Sequence, residues 1–263
     1  MGAPRLPTAR PPVALADAPR QHGGTPLANA MTPPYDAVAA SQALAAADPR
    51  LANVIARVGP PTIEVRPDET LPALVRAVAS QQLSVQAAAT IHGRVIDAFA
   101  PGHPARPATA AASARLADAL AGSVEAAPDG ALRACGLSRA KAASVRDLVA
   151  RYLDGRLPAR ADMDEMTDAE VVAALSAARG VGVWTAQMVL LFTLGRPDVW
   201  PVADLGVQEG VRVVAGLSVR PTAREMAALG APYAPWRSVA AWYLWRAVEL
   251  ARAGAAQKVV GGG

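Results

Sequence analysis

The stretch Arg179-Gly180-Val181-Gly182-Val183-Trp184-Thr185-Ala186, with the lone acid of Pro201-Val202-Ala203-Asp204-Leu205-Gly206 behind it, decides how this chain is read. Two helices joined by Gly-Val-Gly form a hairpin with a physical use. The glycines allow positive φ in the turn and let an anion approach the backbone closely. Amides at the start of the following helix point at that anion, and the helix dipole adds to the attraction. Such a grip holds a phosphate backbone and reads no base edge. Two blander readings compete with it. A Gly-x-Gly with an acid about 20 residues on resembles a dinucleotide-binding fingerprint, but the segment before Gly180 has helical spacing and the third small position is Thr185. The other is a glycine turn with no ligand.

The sequence on either side of the hairpin is helical nearly throughout. Thr167-Asp168-Ala169-Glu170 is a capping box that opens the helix leading to Gly180. Trp184, Met188, Leu191 and Phe192 share one face of the helix behind the hairpin, which Gly195 stops. Ser138 caps a helix through Tyr152, closed by Gly155. Ser113–Leu120 and Pro128–Cys135 read as short helices, and Ser84 caps a helix to Phe99. Thr70 to Gln81 carries Leu71, Leu74, Val75 and Val78 at helical spacing, with Asp36–Ala46 and Pro49–Val58 before it. Thr222-Ala223-Arg224-Glu225 is a second capping box, and a last helix runs from Trp236 to about Ala253. Strand signals are poor; Ile63-Glu64-Val65 alternates only briefly.

The expected fold is therefore all-α and two-lobed, with a cleft between lobes. The central lobe spans 71–195 and carries the hairpin. The terminal lobe combines 35–70 with 196–253. Residues 1–34, rich in Pro and Ala without hydrophobic period, and 254–263 read as disordered tails.

Apolar residues make up 52% of the 263, yet no run reaches the roughly 18 uncharged, apolar residues of a membrane span. Cys135 is the only cysteine, which excludes an internal disulfide, a cysteine-rich zinc site and a four-cysteine iron–sulfur cluster. A reducing compartment fits, and for a bacterial source the cytoplasm. His22, His92 and His103 lack metal-ligand spacing. A net charge of +4 and a pI near 9.7 permit a polyanionic partner; a GC-rich genome would enrich Arg and Ala equally well.

On these residues the chain resembles the helix-hairpin-helix DNA glycosylase superfamily. Three more segments are similar to its 3-methyladenine DNA glycosylase II branch: Ala79-Ser80-Gln81-Gln82-Leu83-Ser84 with Ala87-Ala88, Cys135-Gly136-Leu137-Ser138 with Lys141, and Pro235-Trp236-Arg237-Ser238 with Trp245. The resemblance covers residues 36 to 253 and has the four motifs in one order. It lacks the length for an additional N-terminal β-containing domain, as in the short form of the branch.

The resemblance implies a monomeric enzyme that flips a damaged base out of double-stranded DNA and hydrolyses its N-glycosidic bond. Asp204 is then the catalytic acid, stabilising positive charge on the sugar or activating water. Its bland alternative, the N-cap of a helix starting at Leu205, is compatible. Bifunctional relatives carry a Lys two residues after the second hairpin glycine; Trp184 stands there, which implies hydrolysis without lyase action. Trp184 and Trp245 line a pocket suited to electron-poor alkylated bases. Leu205 and Met188 stand where relatives are often aromatic. Helical phase turns Trp245 towards the cleft while Trp236, Ala240, Tyr243 and Ala247 pack the core, unless both faces are simply buried; Trp242 and Trp200 read as packing residues, and Arg237 as the companion of Trp236.

DNA contacts fall to Gly180, Val181, Gly182 and Thr185, to Ser138 and Lys141, and to Gln82 with Leu83 as the wedge, unless Leu83 is merely core. No cofactor is expected beyond a monovalent cation on hairpin carbonyls such as those of Arg179 and Val181. A non-enzymatic DNA-binding module and a glycosylase for another damaged or mismatched base remain as alternatives.

Overall fold

A computed structural model describes residues 31 to 260. Among them are thirteen α-helices and no strand. In chain order these are α1 (Ala37–Ala47), α2 (Pro49–Val58), α3 (Thr70–Ser80), α4 (Val85–Phe99), α5 (Ala110–Ala126), α6 (Ala131–Ala134) and α7 (Arg139–Leu153). There follow α8 (Arg160–Glu165), α9 (Asp168–Ser176), α10 (Val183–Val189), α11 (Leu205–Ala215), α12 (Ala223–Leu229) and α13 (Arg237–Val260).

The starts are where the side chains can satisfy free amides. Asp36, Ser84, Ser138 and Asp204 each accept a first-turn N–H, and Thr167 and Thr222 complete reciprocal capping boxes with Glu170 and Glu225. Helix α5 is longer than Ser113–Leu120. Thr109 is its cap, the alanines on either side extend it, and Ser113 is buried with its hydroxyl accepting the Glu69 amide at 2.7 Å.

Helices α1, α2, α11 and α13 pack on one another, and α3 to α7 with α9 and α10 form a second group. One continuous apolar core runs through both. Leu71, Leu74, Val75 and Val78 of α3 are fully buried in it. Helix α13 differs from its one-faced reading: every residue from Val239 to Trp245 is buried, so this stretch is wrapped by protein on all sides, while 251–254 are exposed.

Two connections were unexpected. Met31 and Val65 exchange backbone hydrogen bonds of 2.9 and 3.1 Å, so residues 31–34 do not belong to a tail; residues 1–30 of the expected tail, His22 among them, lie outside the described residues, and of the expected tail 254–263 residues 254–260 continue α13 while Gly261–Gly263 lie outside the described residues. Behind the hairpin, α10 does not stay α-helical to Gly195 but widens at Leu190–Leu194 into a π turn, the kind of irregularity that collects at functional sites. The turn turns out the Phe192 carbonyl, which accepts the Arg66 amide at 2.8 Å.

Candidate active site

Asp204 sits where the two groups of helices meet, and it is buried at 4% exposure. Its carboxylate accepts three N–H donors from three elements. The Val207 amide of α11 donates to Oδ1 at 2.7 Å, which makes Asp204 the N-cap. Trp245 of α13 donates its indole Nε1 to Oδ1 at 3.0 Å, and Trp184 of α10 donates its own to Oδ2 at 2.7 Å. A carboxylate offers about four lone pairs. Both on Oδ1 are occupied, and one on Oδ2 stays open. The acid is thus fixed in orientation with one direction left for a water or a developing charge.

The glycine next to it makes this arrangement possible. A β-carbon on Gly206 would lie 2.8 Å from Trp245 Cδ1 and 2.9 Å from its Nε1. One turn on, a β-carbon on Gly210 would meet the Leu244 carbonyl oxygen at 2.5 Å. Both glycines sit inside α11, where each costs about 1 kcal/mol relative to Ala. They are there because α11 and α13 cross backbone to backbone. Sequence reading passed over them, although two glycines four apart in a well-capped helix were a visible signal.

The pocket residues divide. Trp184 and Met188 are half-buried, so their surfaces remain open to a ligand. Trp245 is 6% exposed and does not face an open cleft. One face of its ring stacks on Phe192, with centroids 5.9 Å apart and planes at 25°. Its visible contribution is to hold the acid. Leu205 is 38% exposed beside Asp204 and forms no apolar lid over it. Trp200 and Trp242 are buried as read, and Trp200 Nε1 donates to the Met226 carbonyl at 2.7 Å. Trp236 is only half-buried, near Tyr35, while Arg237 clamps Asp198 through both of its carboxylate oxygens.

In the hairpin the two glycines have separate reasons. Gly180 has φ +76, and a β-carbon there would overlap Ser144 Oγ. Gly182 has ordinary φ, −93, with open space on its Cβ side, which leaves its backbone approachable. It starts α10 without a side-chain cap, so the first-turn amides have no side-chain acceptor. Val181 and Thr185 are buried, at 4% and 3%; the structure uses their side chains as anchors, and any contact they make with an anion is through the backbone.

Two further residues expected at the DNA are engaged internally. The Ser138 hydroxyl accepts the Lys141 amide as the cap of α7. Lys141 does not extend into solvent: its Nζ donates to the Ala79 and Gln81 carbonyls at 2.9 and 2.6 Å, and burial lowers its pKa. Leu83 is half-buried beside it, whereas Gln82 is exposed and has φ +57, a left-handed backbone unusual for a residue with a side chain. Among the described residues no group of His, Cys, Asp and Glu could hold a metal ion, and no helix is long and apolar enough to cross a membrane.

Comparison with known proteins agrees with the all-α fold. The chain is 29% identical over 216 residues to the alkylbase DNA glycosidase-like protein mag2 of Schizosaccharomyces pombe, covering 82% of this chain and 95% of the relative. It is 32% identical over 178 residues to DNA-3-methyladenine glycosylase 1 of the same yeast, covering 68% and 72%. Among solved structures, the S. pombe 3-methyladenine DNA glycosylase Mag1 in complex with abasic DNA superposes with a TM-score of 0.67 at 28% identity, covering 79% of this chain and 95% of that one. A DNA-3-methyladenine glycosidase from Bacillus halodurans gives 0.65 at 29%, covering 79% and 88%. The family model described as HhH-GPD superfamily base excision DNA repair protein matches residues 75–235, from within α3 to just before α13. This chain belongs to the HhH-GPD superfamily of base excision DNA repair proteins.

Proposed function

We propose that the chain is a monofunctional DNA glycosylase that extrudes alkylated bases from double-stranded DNA, chiefly 3-methyladenine, and hydrolyses their N-glycosidic bond. The observation that carries this is Asp204, held by two indole N–H groups and one amide with a single lone pair of Oδ2 open. As the C1′–N bond breaks, the electrons leave with the base and positive charge grows on the sugar. A fixed carboxylate stabilises that charge without reorganising. Water supplies the new C1′–O bond and loses its proton, and the open Oδ2 lone pair can orient it. An alkylated purine already carries positive charge, leaves as a neutral base, and stacks favourably on the half-open Trp184 indole.

The position two residues beyond Gly182 supports hydrolysis without a lyase step. Trp184 carries no amine, and Lys141, one of two lysines in the chain, is committed to backbone carbonyls. The hairpin amides grip the backbone phosphate, and the exposed Gln82 fills the space the base leaves. The Arg179 and Val181 carbonyls accept no hydrogen bond among the described residues, so these oxygens fit a monovalent cation that would add to the phosphate grip.

The test is base release. Incubated with duplex DNA containing 3-methyladenine, the protein frees the base and Asp204→Asn does not, although it binds the duplex equally well. Borohydride traps no covalent adduct. Tight binding with no release by either protein would instead mark a non-catalytic DNA-binding module.

A further inference from the structure

We infer that Lys141 is a positioning residue for base extrusion, its ammonium bracing the Gln81-Gln82-Leu83 loop so that Gln82 enters the stack from a rigid base. The inference rests on the reading of Gln82 as the side chain that fills the vacated space.

The loop needs a brace. Helix α3 ends at Ser80, and its last carbonyls have no partners within the helix. Helices commonly close such an end with a glycine in the left-handed conformation. Here Gln82 takes that conformation, at φ +57, where a β-carbon crowds the following carbonyl oxygen. A single charged group from another helix offsets it. Lys141 Nζ donates to the Ala79 carbonyl at 2.9 Å and the Gln81 carbonyl at 2.6 Å, placing a positive charge at the negative end of α3. The residue type fits the task. Lysine occurs only at 141 and 258 in a chain whose Lys and Arg total 26. An ammonium is a compact donor that fits between two converging carbonyls; a planar guanidinium does not.

The same face of α7 holds the hairpin. Ser144, one turn from Lys141, lies against Gly180 so closely that no β-carbon fits there. Asp147, three residues further, accepts the Arg179 amide at 2.7 Å. Gln81 closes the triangle by donating its side-chain Nε2 to the Gly180 carbonyl at 2.9 Å. The backbone grip and the wedge loop, 99 residues apart in sequence, are therefore fixed to one helix and to each other. Within the Gln81-Gln82-Leu83 loop the exposed side chain is that of Gln82. A loop ordered beforehand loses little entropy when its tip enters the duplex.

Lys141→Met keeps the length of the side chain and removes its charge. The single-turnover rate of 3-methyladenine release from duplex falls about tenfold, the scale of a lost hydrogen bond to a charged group. Affinity for the duplex and its salt dependence do not change. The defect disappears when the lesion lies in single-stranded DNA, where no base has to be extruded from a stack. Gln81→Leu, which removes the strut to Gly180, gives the same pattern in smaller degree and decides the matter should Lys141→Met fail to fold.

A weaker affinity with a shallower salt slope would overturn the inference, because Lys141 would then be neutralising a phosphate. Equal loss on both substrates would overturn it as well. Gln82→Ala, measured alongside, separates the two readings. If it excises from duplex like the parent protein, the wedge reading fails and the brace with it. If it is defective while Lys141→Met is normal, only the brace fails.

Discussion

At the scale of single residues, the acid and its two indoles form one unit. Asp204, Trp184 and Trp245 were each legible in the sequence from their place in recognisable motifs. Their mutual hydrogen bonds were not, because they join positions 20 and 41 residues apart through the packing of three helices. This changes what a mutation at a silent position should do. Gly206→Ala adds one methyl group against the Trp245 ring and within 3.1 Å of Asp204 Oδ1. We expect the protein to fold and bind DNA, with excision slower by about a hundredfold, as when a catalytic group is displaced by roughly 1 Å. Single-turnover kinetics on a 3-methyladenine duplex measures this.

His92 gives a second prediction at this scale. It is 6% exposed, its Nε2 has no hydrogen-bond partner, and its pKa is pushed down to about 4. Burial is the main cause, Arg76 and Arg106 add to it, and Asp68 opposes it. In the unfolded chain a histidine takes up its proton near pH 6.5. Between these values the unfolded state binds more protons, so stability is full above about pH 6.5 and falls as the pH drops towards 4. The loss amounts to no more than about 3 kcal/mol. Urea unfolding at pH 7 and pH 4.5 should show it, and His92→Gln should flatten the slope.

At the scale of elements, capping boxes at Thr167 and Thr222 and the serine caps at 84 and 138 were read directly, since those signals are local. What sequence missed was tertiary. The spacing of Trp236, Ala240, Tyr243 and Ala247 predicts a one-faced last helix. In fact α11 and the rest of the protein surround α13 from Val239 to Trp245, and an alanine- and tryptophan-rich stretch reads the same whether one face or all of it is covered. The π turn at Leu190–Leu194 has no pattern in an unbroken apolar run, yet it seats Phe192 against Trp245. The crossing of α11 and α13 has a sharp dependence on one residue. Gly210→Val drives a branched side chain into the Leu244 backbone and should destabilise the fold by about 3 kcal/mol, measured as a drop in the urea midpoint at an unchanged slope.

At the scale of the whole molecule, the fold brings two functions to one junction. The hairpin and the proposed wedge loop belong to the group of α3 to α7 with α9 and α10, the acid and Trp245 to the group of α1, α2, α11 and α13, and Trp184 connects them. Binding and chemistry should therefore separate experimentally. The net charge of +4 is modest, so affinity depends on local contacts between amides, basic side chains and phosphates. Raising salt from about 50 to 200 mM should weaken duplex binding strongly, while the excision rate at saturating protein stays constant. A rate that fell along with affinity would show that the phosphate contacts also set the geometry of the acid.

The bond from Trp184 to Asp204 has an optical consequence. All five tryptophans lie between residues 184 and 245. Trp200 is sealed in the interior with its N–H on a carbonyl, and Trp242 is buried. Trp184 is half-open with its N–H on a carboxylate, so it is the indole whose surroundings would change most if, as proposed, an aromatic base settles on it. The protein thus carries its own light-emitting probe one hydrogen bond from the reacting centre. Emission from the Asp204→Asn protein, compared with that of a Trp184→Phe version, would report arrival of the base without any label on the DNA.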